Sequence, residues 1–578
     1  MSSRSSLAPA AEHPVLTRTA EDLLFSSLQR HAREQPDRVA IARRQTDGRF
    51  QTTTFAELLS QANGYAERFA EHTPAESVVP LLLGRTETCV AAALGALIAG
   101  RALCCVNPKL RLPQIERVLS DTGARFAVLD GAGLFALKGG VPAQSMAART
   151  HWAVVRDASY SRLSQSIQAE LATAARVEVW EPAGGGAVEG CALRDANSVG
   201  ACLFTSGSTG TPKGVLIAYS DLLERARAEV ELYSLDRSDV LLNLLPFSFD
   251  VGLNQLLSAV IAGAELVLLD SWLPADVTRA AAQRGITGIS AVPSLWADFM
   301  RAGVAFDRKG QHRSLRYVTV SGGDLSPAQH ARLPAVVDGA GVFKTYGQTE
   351  AFRATALRPE DYGERPLSVG RPFAGVRLYV VREDGSRAEP GEVGEVVHTG
   401  LGVMVGYADG SDPEHKLKPN PFRGSQDPNP FAIRTGDLGC LDEAGYLFLR
   451  GRRDDLVKCN GNRVYPNEVR NQLATLSGVA SAEVVVLRTE DQSRLAGFVV
   501  PRQGVEVDVN RLRLELVKRV PSYMVPEVLV IKDELPLTAS GKPDRPSLAQ
   551  EAKAQLARLG ASFAGVLELG LLERLAML

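Results

Sequence analysis

Between residues 240 and 270 the chain alternates short apolar runs with a helix-length apolar segment, and this alternation most narrows the folds open to it. Val240-Leu-Leu-Asn-Leu-Leu245 reads as a buried strand, Val251 to Ala262 as a helix closed by Gly263, and Glu265-Leu-Val-Leu-Leu-Asp270 as a second strand. Arg125-Phe-Ala-Val-Leu-Asp130 and Leu315-Arg-Tyr-Val-Thr-Val320 supply further strands of the same kind. A strand–helix–strand rhythm joins parallel neighbours, so the expected fold class is α/β, with parallel sheets covered by helices. The 578 residues, 45% of them hydrophobic, build a full core without a metal or disulfide staple.

Composition divides the rest of the chain. Residues 1–20 are rich in Ser, Ala and Pro and read as a disordered leader without a secretory apolar core. Residues 408–431 carry five prolines among polar turn formers and read as a surface loop. After Gly451 a βαββ-like pattern begins, with strands at 482–487 and 528–531, which predicts a small α+β domain over 455–548. An Ala/Leu-rich tail over 549–578 has apolar positions at helical spacing and reads as a docking helix. A formal charge of −2 removes the global electrostatic case for nucleic acid or an anionic membrane surface. The longest apolar run, Cys89 to Gly100, is shorter than the roughly 20 residues a membrane span needs. Seven cysteines, odd in number and without metal-ligand spacing, fit a reducing cytoplasmic location.

Chemistry concentrates in Leu203-Phe-Thr-Ser-Gly-Ser-Thr-Gly-Thr-Pro-Lys-Gly214, where an apolar strand enters a loop of glycines and hydroxyls with one lysine. Such a loop turns backbone N–H groups and hydroxyls onto phosphate oxygens, and Lys213 adds charge. Its spacing is not that of a P-loop, and a flexible Ser/Thr/Gly linker is the plain alternative.

As a segment this loop resembles the phosphate loop of the adenylate-forming superfamily, which comprises acyl-CoA synthetases, amino-acid adenylation domains and firefly-type luciferases. The resemblance recurs in order over residues 21–548. Tyr346-Gly-Gln-Thr-Glu350 is similar to the adenine and magnesium motif, and Arg434-Thr-Gly-Asp437 to the ribose motif. Gly451-Arg-Arg-Asp-Asp-Leu-Val-Lys458 is similar to the hinge, and Leu535-Pro-Leu-Thr-Ala-Ser-Gly-Lys542 to the motif of the catalytic lysine. The resemblance implies a large domain over 21–450, built of parallel-rich sheets plus a distorted barrel, a hinge over 451–454 and a small mobile C-terminal domain. It implies ATP contacts at Thr205, Ser206, Gly207, Ser208, Thr209, Gly210, Lys213, Tyr346, Gly347, Asp437 and Arg452. It also implies catalytic roles for Lys542, Thr349 and Glu350, with Mg²⁺ on Glu350 and Thr209. The resemblance further implies that rotation about Asp454 exchanges Lys542 for a thiol channel beside Lys458 and Gly461, where CoA or a carrier-protein phosphopantetheine would attack the adenylate.

The residue chemistry suits these roles. Tyr346 offers an aromatic face, Glu350 a hard oxygen for Mg²⁺, and Asp437 a carboxylate able to accept from two ribose hydroxyls. Outside the family context the same residues would read as a core tyrosine, a helix cap and a turn. For the acid, Leu245-Pro-Phe-Ser-Phe-Asp-Val-Gly-Leu-Asn254 places Asp250 where amino-acid-activating members hold the substrate ammonium; the alternative is a carboxylate capping the next helix. The resemblance extends the pocket to Val251, Asn254, Ser290, Thr319, Ser321, Gly322, Thr345, Arg353 and Ala354, a lining too polar for a fatty-acid tunnel. Arg353 paired with Asp250 would cancel that reading. Cys459-Asn-Gly-Asn-Arg-Val-Tyr-Pro466 looks more like the acyl-CoA ligase version of its loop. The expected activity is an AMP-forming ligase for an amino acid or small polar acid, serving a separate carrier protein or CoA. The alternatives are a fatty- or aryl-acyl-CoA synthetase, a luciferase-like oxidase and a non-catalytic nucleotide-binding relative.

Overall fold

The computed structural model describes residues 23–563 apart from 109, 158–159, 183, 186–197, 206–211, 413–414, 454–456, 460–461, 465, 489–492, 522–523 and 539–540. The expected strand–helix–strand rhythm is present. Val240–Asn243, the helix Asp250–Ala262 and Glu265–Leu268 follow one another, and the two strands pair in parallel. Gly263 takes the left-handed conformation (φ 74°) that stops the helix. The first strand ends two residues earlier than expected, ahead of Pro246, which has no N–H to extend a ladder.

These strands belong to a nine-stranded sheet whose six central members run parallel, in the order Gly341–Tyr346, Tyr317–Ser321, Gly288–Ala291, Val240–Asn243, Glu265–Leu268 and Val39–Arg44. An eight-stranded sheet runs from Gly406–Tyr407 through Lys213–Ala218, Val199–Thr205, Ala102–Cys105, Val78–Leu82, Phe126–Leu129 and His151–Val155 to Val177–Trp180. One apolar cluster gathers residues of both sheets around the helices Glu87–Ile98 and Asp250–Ala262. The apolar run from Cys89 is thus an interior helix, with every residue from Thr88 to Ile98 buried. No described helix is long and apolar enough to cross a membrane. At about 1.5–3 kcal/mol per buried aliphatic side chain, this core is the main favourable contribution to the fold.

The distorted barrel expected from the resemblance corresponds to a five-stranded antiparallel sheet of Val376–Val381, Gly394–Gly400, Phe431–Leu441, Leu417–Pro419 and Leu447–Arg452. Here the surface-loop expectation for 408–431 needs correction. Leu417–Pro419 pairs with Phe431–Ile433, and Lys416, Asn420, Asp427 and Asn429 are buried. Asp427 accepts from Thr399 Oγ1 at 2.6 Å and Tyr379 Oη at 2.9 Å, so its polarity is satisfied internally rather than by water.

Beyond Arg452, Val479–Arg488, Ser493–Pro501 and Val528–Ile531 form a separate three-stranded sheet with its own apolar clusters. The C-terminal helix starts at Arg545, ahead of the expected tail, and runs to Phe563, burying Leu548 and Ala552 against Val485, Phe498 and Val528. The leader over 1–20 and the tail past 563 lie outside the described residues.

Candidate active site

The carboxyl ends of the parallel strands carry the predicted pocket, the usual place for a ligand in an open α/β sheet. Ser290 and Thr319 are register partners on adjacent strands, as are Ser321 and Thr345. Ser321 and Thr345 share a hydrogen bond of 2.6 Å, and Thr319 lies 3.4 Å from Ser321. All four are buried, which makes a row of hydroxyls facing the start of the helix Asp250–Ala262.

On that helix Asp250 and Asn254 stand one turn apart and share a face. Asp250 is the first helical residue and the cap position is Phe249, so Asp250 is not the cap. Burial raises the Asp250 pKa, and Lys542 is the cation that most opposes the rise. The Asn254 side chain is fully buried; its Nδ2 donates to Arg225 O at 3.5 Å, and its Oδ1 has no partner among the described residues. Val251 and Ala354 are buried in different apolar clusters, Val251 with Leu245 and Val292 and Ala354 with Val369, Val376 and Val396.

Arg353 does not pair with Asp250. Its guanidinium meets the buried carboxylate of Glu229, from the helix Tyr219–Tyr233, and donates to Thr345 Oγ1 at 3.2 Å. Arg353 is therefore neutralised beneath the hydroxyl row, and Asp250 keeps its carboxylate for another cation. Glu229 was missed by sequence reasoning because an acidic residue on an amphipathic helix carries no sign of burial.

Lys542 reaches this pocket from the small domain. Its loop is docked by Ser294 Oγ, which donates to Gly541 O at 2.6 Å, and by Gly541 itself, where an added Cβ would stand 2.5 Å from the Trp272 ring. Gly322 (φ 78°) keeps the facing wall open; a Cβ there would meet Phe249 at 3.0 Å and the Lys542 stem at 3.6 Å. Lys542 as a residue is exposed, yet its ammonium is withdrawn into the cleft, 5.6 Å from the Phe249 ring centroid. That burial lowers its pKa, while Asp250, Asp437 and Glu350 oppose the shift.

Next to this pocket, Asp437 is buried and accepts from Tyr346 Oη at 2.6 Å and Gln348 Nε2 at 2.5 Å. Arg452 is its register partner, with Nε 3.9 Å from Oδ1. Burial raises the Asp437 pKa against the pull of Arg452, Tyr346 and Gln348. Gly347 lies against the Arg353 backbone, where a Cβ would approach to 2.7 Å. Gln348 was not among the predicted contacts, although it lies within the recognised motif.

The third cluster centres on Glu350. Its Oε1 accepts from Lys416 Nζ at 2.5 Å and Tyr407 Oη at 3.1 Å, and the half-buried Thr349 precedes it. Lys213 is buried, with Nζ 5.5 Å from the Tyr407 ring centroid, and is the register partner of Thr205. Thr205 and Lys213 thus bracket 206–211. Ser206, Gly207, Ser208, Thr209, Gly210, Asp454 and Gly461 lie outside the described residues. Lys458 is on the strand Val457–Cys459. The Glu350 carboxylate is a hard oxygen donor of the kind that fits Mg²⁺ carrying phosphates, and in this structure Lys416 is its counter-charge. A cavity of about 490 Å³ opens beside this cluster, with Lys416, Lys418, Arg434, Arg452 and Arg453 in its wall; Glu350 pairs with Lys416, Asp437 with Arg452, and Glu395 with both Arg434 and Arg453. The near-neutral chain thus gathers cations at one cleft, most of them held by neighbouring carboxylates.

The AMP-binding enzyme profile matches residues 28–408, and the AMP-binding enzyme C-terminal domain profile matches residues 468–542. Surfactin synthase subunit 2 of Bacillus subtilis (strain 168) is 26% identical over 96% of this chain, which spans 14% of that protein's length. Zwittermicin A synthase ZmaJ of Bacillus cereus is 26% identical over 89% of this chain and 92% of its own. Among solved structures, o-succinylbenzoate CoA synthetase (MenE) from Bacillus subtilis, in complex with its acyl-adenylate intermediate, superposes with a TM-score of 0.71. That match is 25% identical and covers 90% of this chain and 97% of MenE. The phosphate-side cluster, the Asp437 cluster and the docked Lys542 loop lie in or beside the matched segments, and the chain belongs to the AMP-binding enzyme family as an AMP-forming ligase.

Proposed function

We propose that this ligase activates a small amino-bearing carboxylic acid as its acyl-adenylate and passes the acyl group to a pantetheine thiol on a separate carrier protein. The observation that carries the reading is the pairing of the buried Asp250 carboxylate with the orphaned Asn254 Oδ1 one turn further on. A buried acceptor without a donor costs about 1–3 kcal/mol, and a substrate ammonium between the two groups would remove that cost and supply the charge Asp250 needs. The hydroxyl row of Ser290, Thr319, Ser321 and Thr345 adds polar lining unsuited to an alkyl chain.

In the first half-reaction a substrate carboxylate oxygen attacks the α-phosphorus of ATP, the P–O bond to the β-phosphate breaks, and pyrophosphate leaves. Lys542, withdrawn beside Asp250, stabilises the charge that develops on the carboxylate and α-phosphate oxygens. Asp437 and Arg452 hold the ribose, Tyr346 flanks the adenine, and Lys213 and Thr205 frame the phosphate loop. Glu350 and the Thr209 hydroxyl would hold Mg²⁺, which supplies neutralising charge to the triphosphate. In the second half-reaction the thiol sulfur attacks the acyl carbon, AMP leaves, and the thiol proton goes to solvent. Catalysis rests on position and charge, with no side-chain nucleophile.

CoA as the acceptor is a second reading, favoured by the Cys459–Pro466 loop and by the likeness to a CoA synthetase. Pyrophosphate exchange across a panel of amino, aliphatic and aryl acids tests the substrate. An amino-bearing acid is expected to drive exchange best, and Asp250→Ala to lower it at least about 100-fold, the worth of a buried charge-assisted bond. Best exchange with acids lacking an amine, undiminished in Asp250→Ala, would sink the proposal.

A further inference from the structure

We propose that His72, His151 and Glu178 form a binding site for one divalent transition-metal ion at the edge of the eight-stranded sheet, apart from the nucleotide cleft. His72 is the last residue of the helix Phe55–His72, His151 opens the strand His151–Val155, and Glu178 lies on the edge strand Val177–Trp180. One ligand atom from each lies within 4.8 Å of the other two. The strand Lys213–Ala218, which borders the phosphate loop, lies at the other side of this sheet.

The hydrogen bonding favours a cation. His72 Nδ1 donates to Arg68 O at 2.8 Å, which leaves the lone pair of a neutral ring at Nε2. That Nε2 points at Glu178 Oε2 across 3.0 Å. His151 Nε2 is buried, has no hydrogen-bond partner among the described residues, and stands 3.4 Å from the same oxygen. Both imidazole Nε2 atoms lie within 3.4 Å of one carboxylate oxygen, the His151 one without the alignment of a hydrogen bond, and a single dication among the three would join all of them. A histidine that donates its second nitrogen to a backbone carbonyl is the usual outer-shell arrangement of a metal ligand.

The distances fit as well. Metal–ligand bonds of about 2.0–2.1 Å at tetrahedral angles place ligand atoms about 3.3 Å apart, close to the 3.0 and 3.4 Å found. Phe126 holds both rings, with centroids 5.2 Å from His72 and 5.3 Å from His151, and Trp180 stands 5.6 Å from His72. The ring orientations are therefore set before an ion arrives. The Glu178 side chain is 40% exposed, so water has access for the fourth position. Two histidines and one carboxylate suit Zn²⁺ better than Mg²⁺, which prefers oxygen ligands. An ion here would clamp the end of a helix to two strands at the sheet margin.

Tag-free protein stripped with chelator and titrated with ZnCl₂ in a calorimeter tests the site, with MgCl₂ as control and Co²⁺ absorption as a reporter of coordination. The expected result is one Zn²⁺ per chain, the intense visible bands of four-coordinate Co²⁺, and a thermal midpoint that rises with Zn²⁺. His72→Ala, His151→Ala and Glu178→Gln are each expected to weaken binding at least about tenfold. Glu178→Gln keeps the size of a half-exposed side chain, so it reports on binding even where a histidine variant loses its fold. No saturable equivalent of Zn²⁺, or an equivalent that survives Glu178→Gln unchanged, would overturn the proposal.

Discussion

Replacing Lys416 with Met tests whether Glu350 sits where the fold demands a cation. The Lys416 ammonium lies 2.5 Å from Glu350 Oε1, and both side chains are only 9% exposed. At an effective dielectric of about 20, unit charges at that separation attract by roughly 7 kcal/mol, and withdrawing both from water offsets several kcal/mol of it. Removing one partner is the expensive change, because the other charge stays buried: Lys416→Met is expected to cost about 3–5 kcal/mol. Urea unfolding followed by tryptophan fluorescence measures this as a lowered midpoint. The double variant Lys416→Met/Glu350→Gln is expected to be more stable than Lys416→Met alone, since neutralising Glu350 removes the uncompensated charge. Millimolar Mg²⁺ should restore part of the loss in the single variant and none in the double, where the ion has lost its carboxylate. A cost below about 1 kcal/mol, the range of an exposed pair, would refute the reasoning. So would a double variant no more stable than the single one.

Lys542→Ala is expected to lower pyrophosphate exchange about 100- to 1,000-fold, while thioester formation from supplied acyl-adenylate largely survives; equal loss in both half-reactions would defeat the role given to its docked loop. Burial, aided by a smaller lowering contribution from Arg225, holds the pKa of His398 down at about 4 against the raising hydrogen bond to Leu401 O. The folded ring therefore stays neutral to about pH 4, whereas the unfolded ring takes a proton below about pH 6.5. The stabilisation is complete above pH 6.5 and is lost progressively as pH falls to 4, by about 3 kcal/mol at most. His398→Gln, which keeps a donor for Leu401 O, should flatten the stability profile of the wild-type chain over that window; parallel profiles would show that His398 does not titrate there.

What could be read from the chain was what local backbone constraint writes into consecutive residues. A glycine that must stop a helix, as at Gly263, is forced by local conformation, so such a position stays interpretable without a fold, whereas the room Gly322 leaves beside Phe249 and Lys542 needs the tertiary structure. The site residues within recognised segments share that property: Asp437 and Arg452 face each other because two strands pair, and Thr205 and Lys213 because a hairpin closes. Lys416, Glu229 and the His72–His151–Glu178 cluster have no such local cause. Lys416 stands in a proline-rich polar stretch that looks solvated, and only the pairing of Leu417–Pro419 with Phe431–Ile433 draws it inward to Glu350. Glu229 looks like the polar face of a helix until Arg353 arrives from a distant loop. A polar side chain is buried when a partner offsets its desolvation, and that partner can come from anywhere in the chain. The groups assigned to chemistry here were therefore visible in sequence, whereas the counter-charges that hold them became visible only through tertiary proximity. Substitutions at Lys416 and Glu229 thus separate the two roles: they act on the chemistry only through the groups they hold, so a conservative charge at either position should recover activity together with stability.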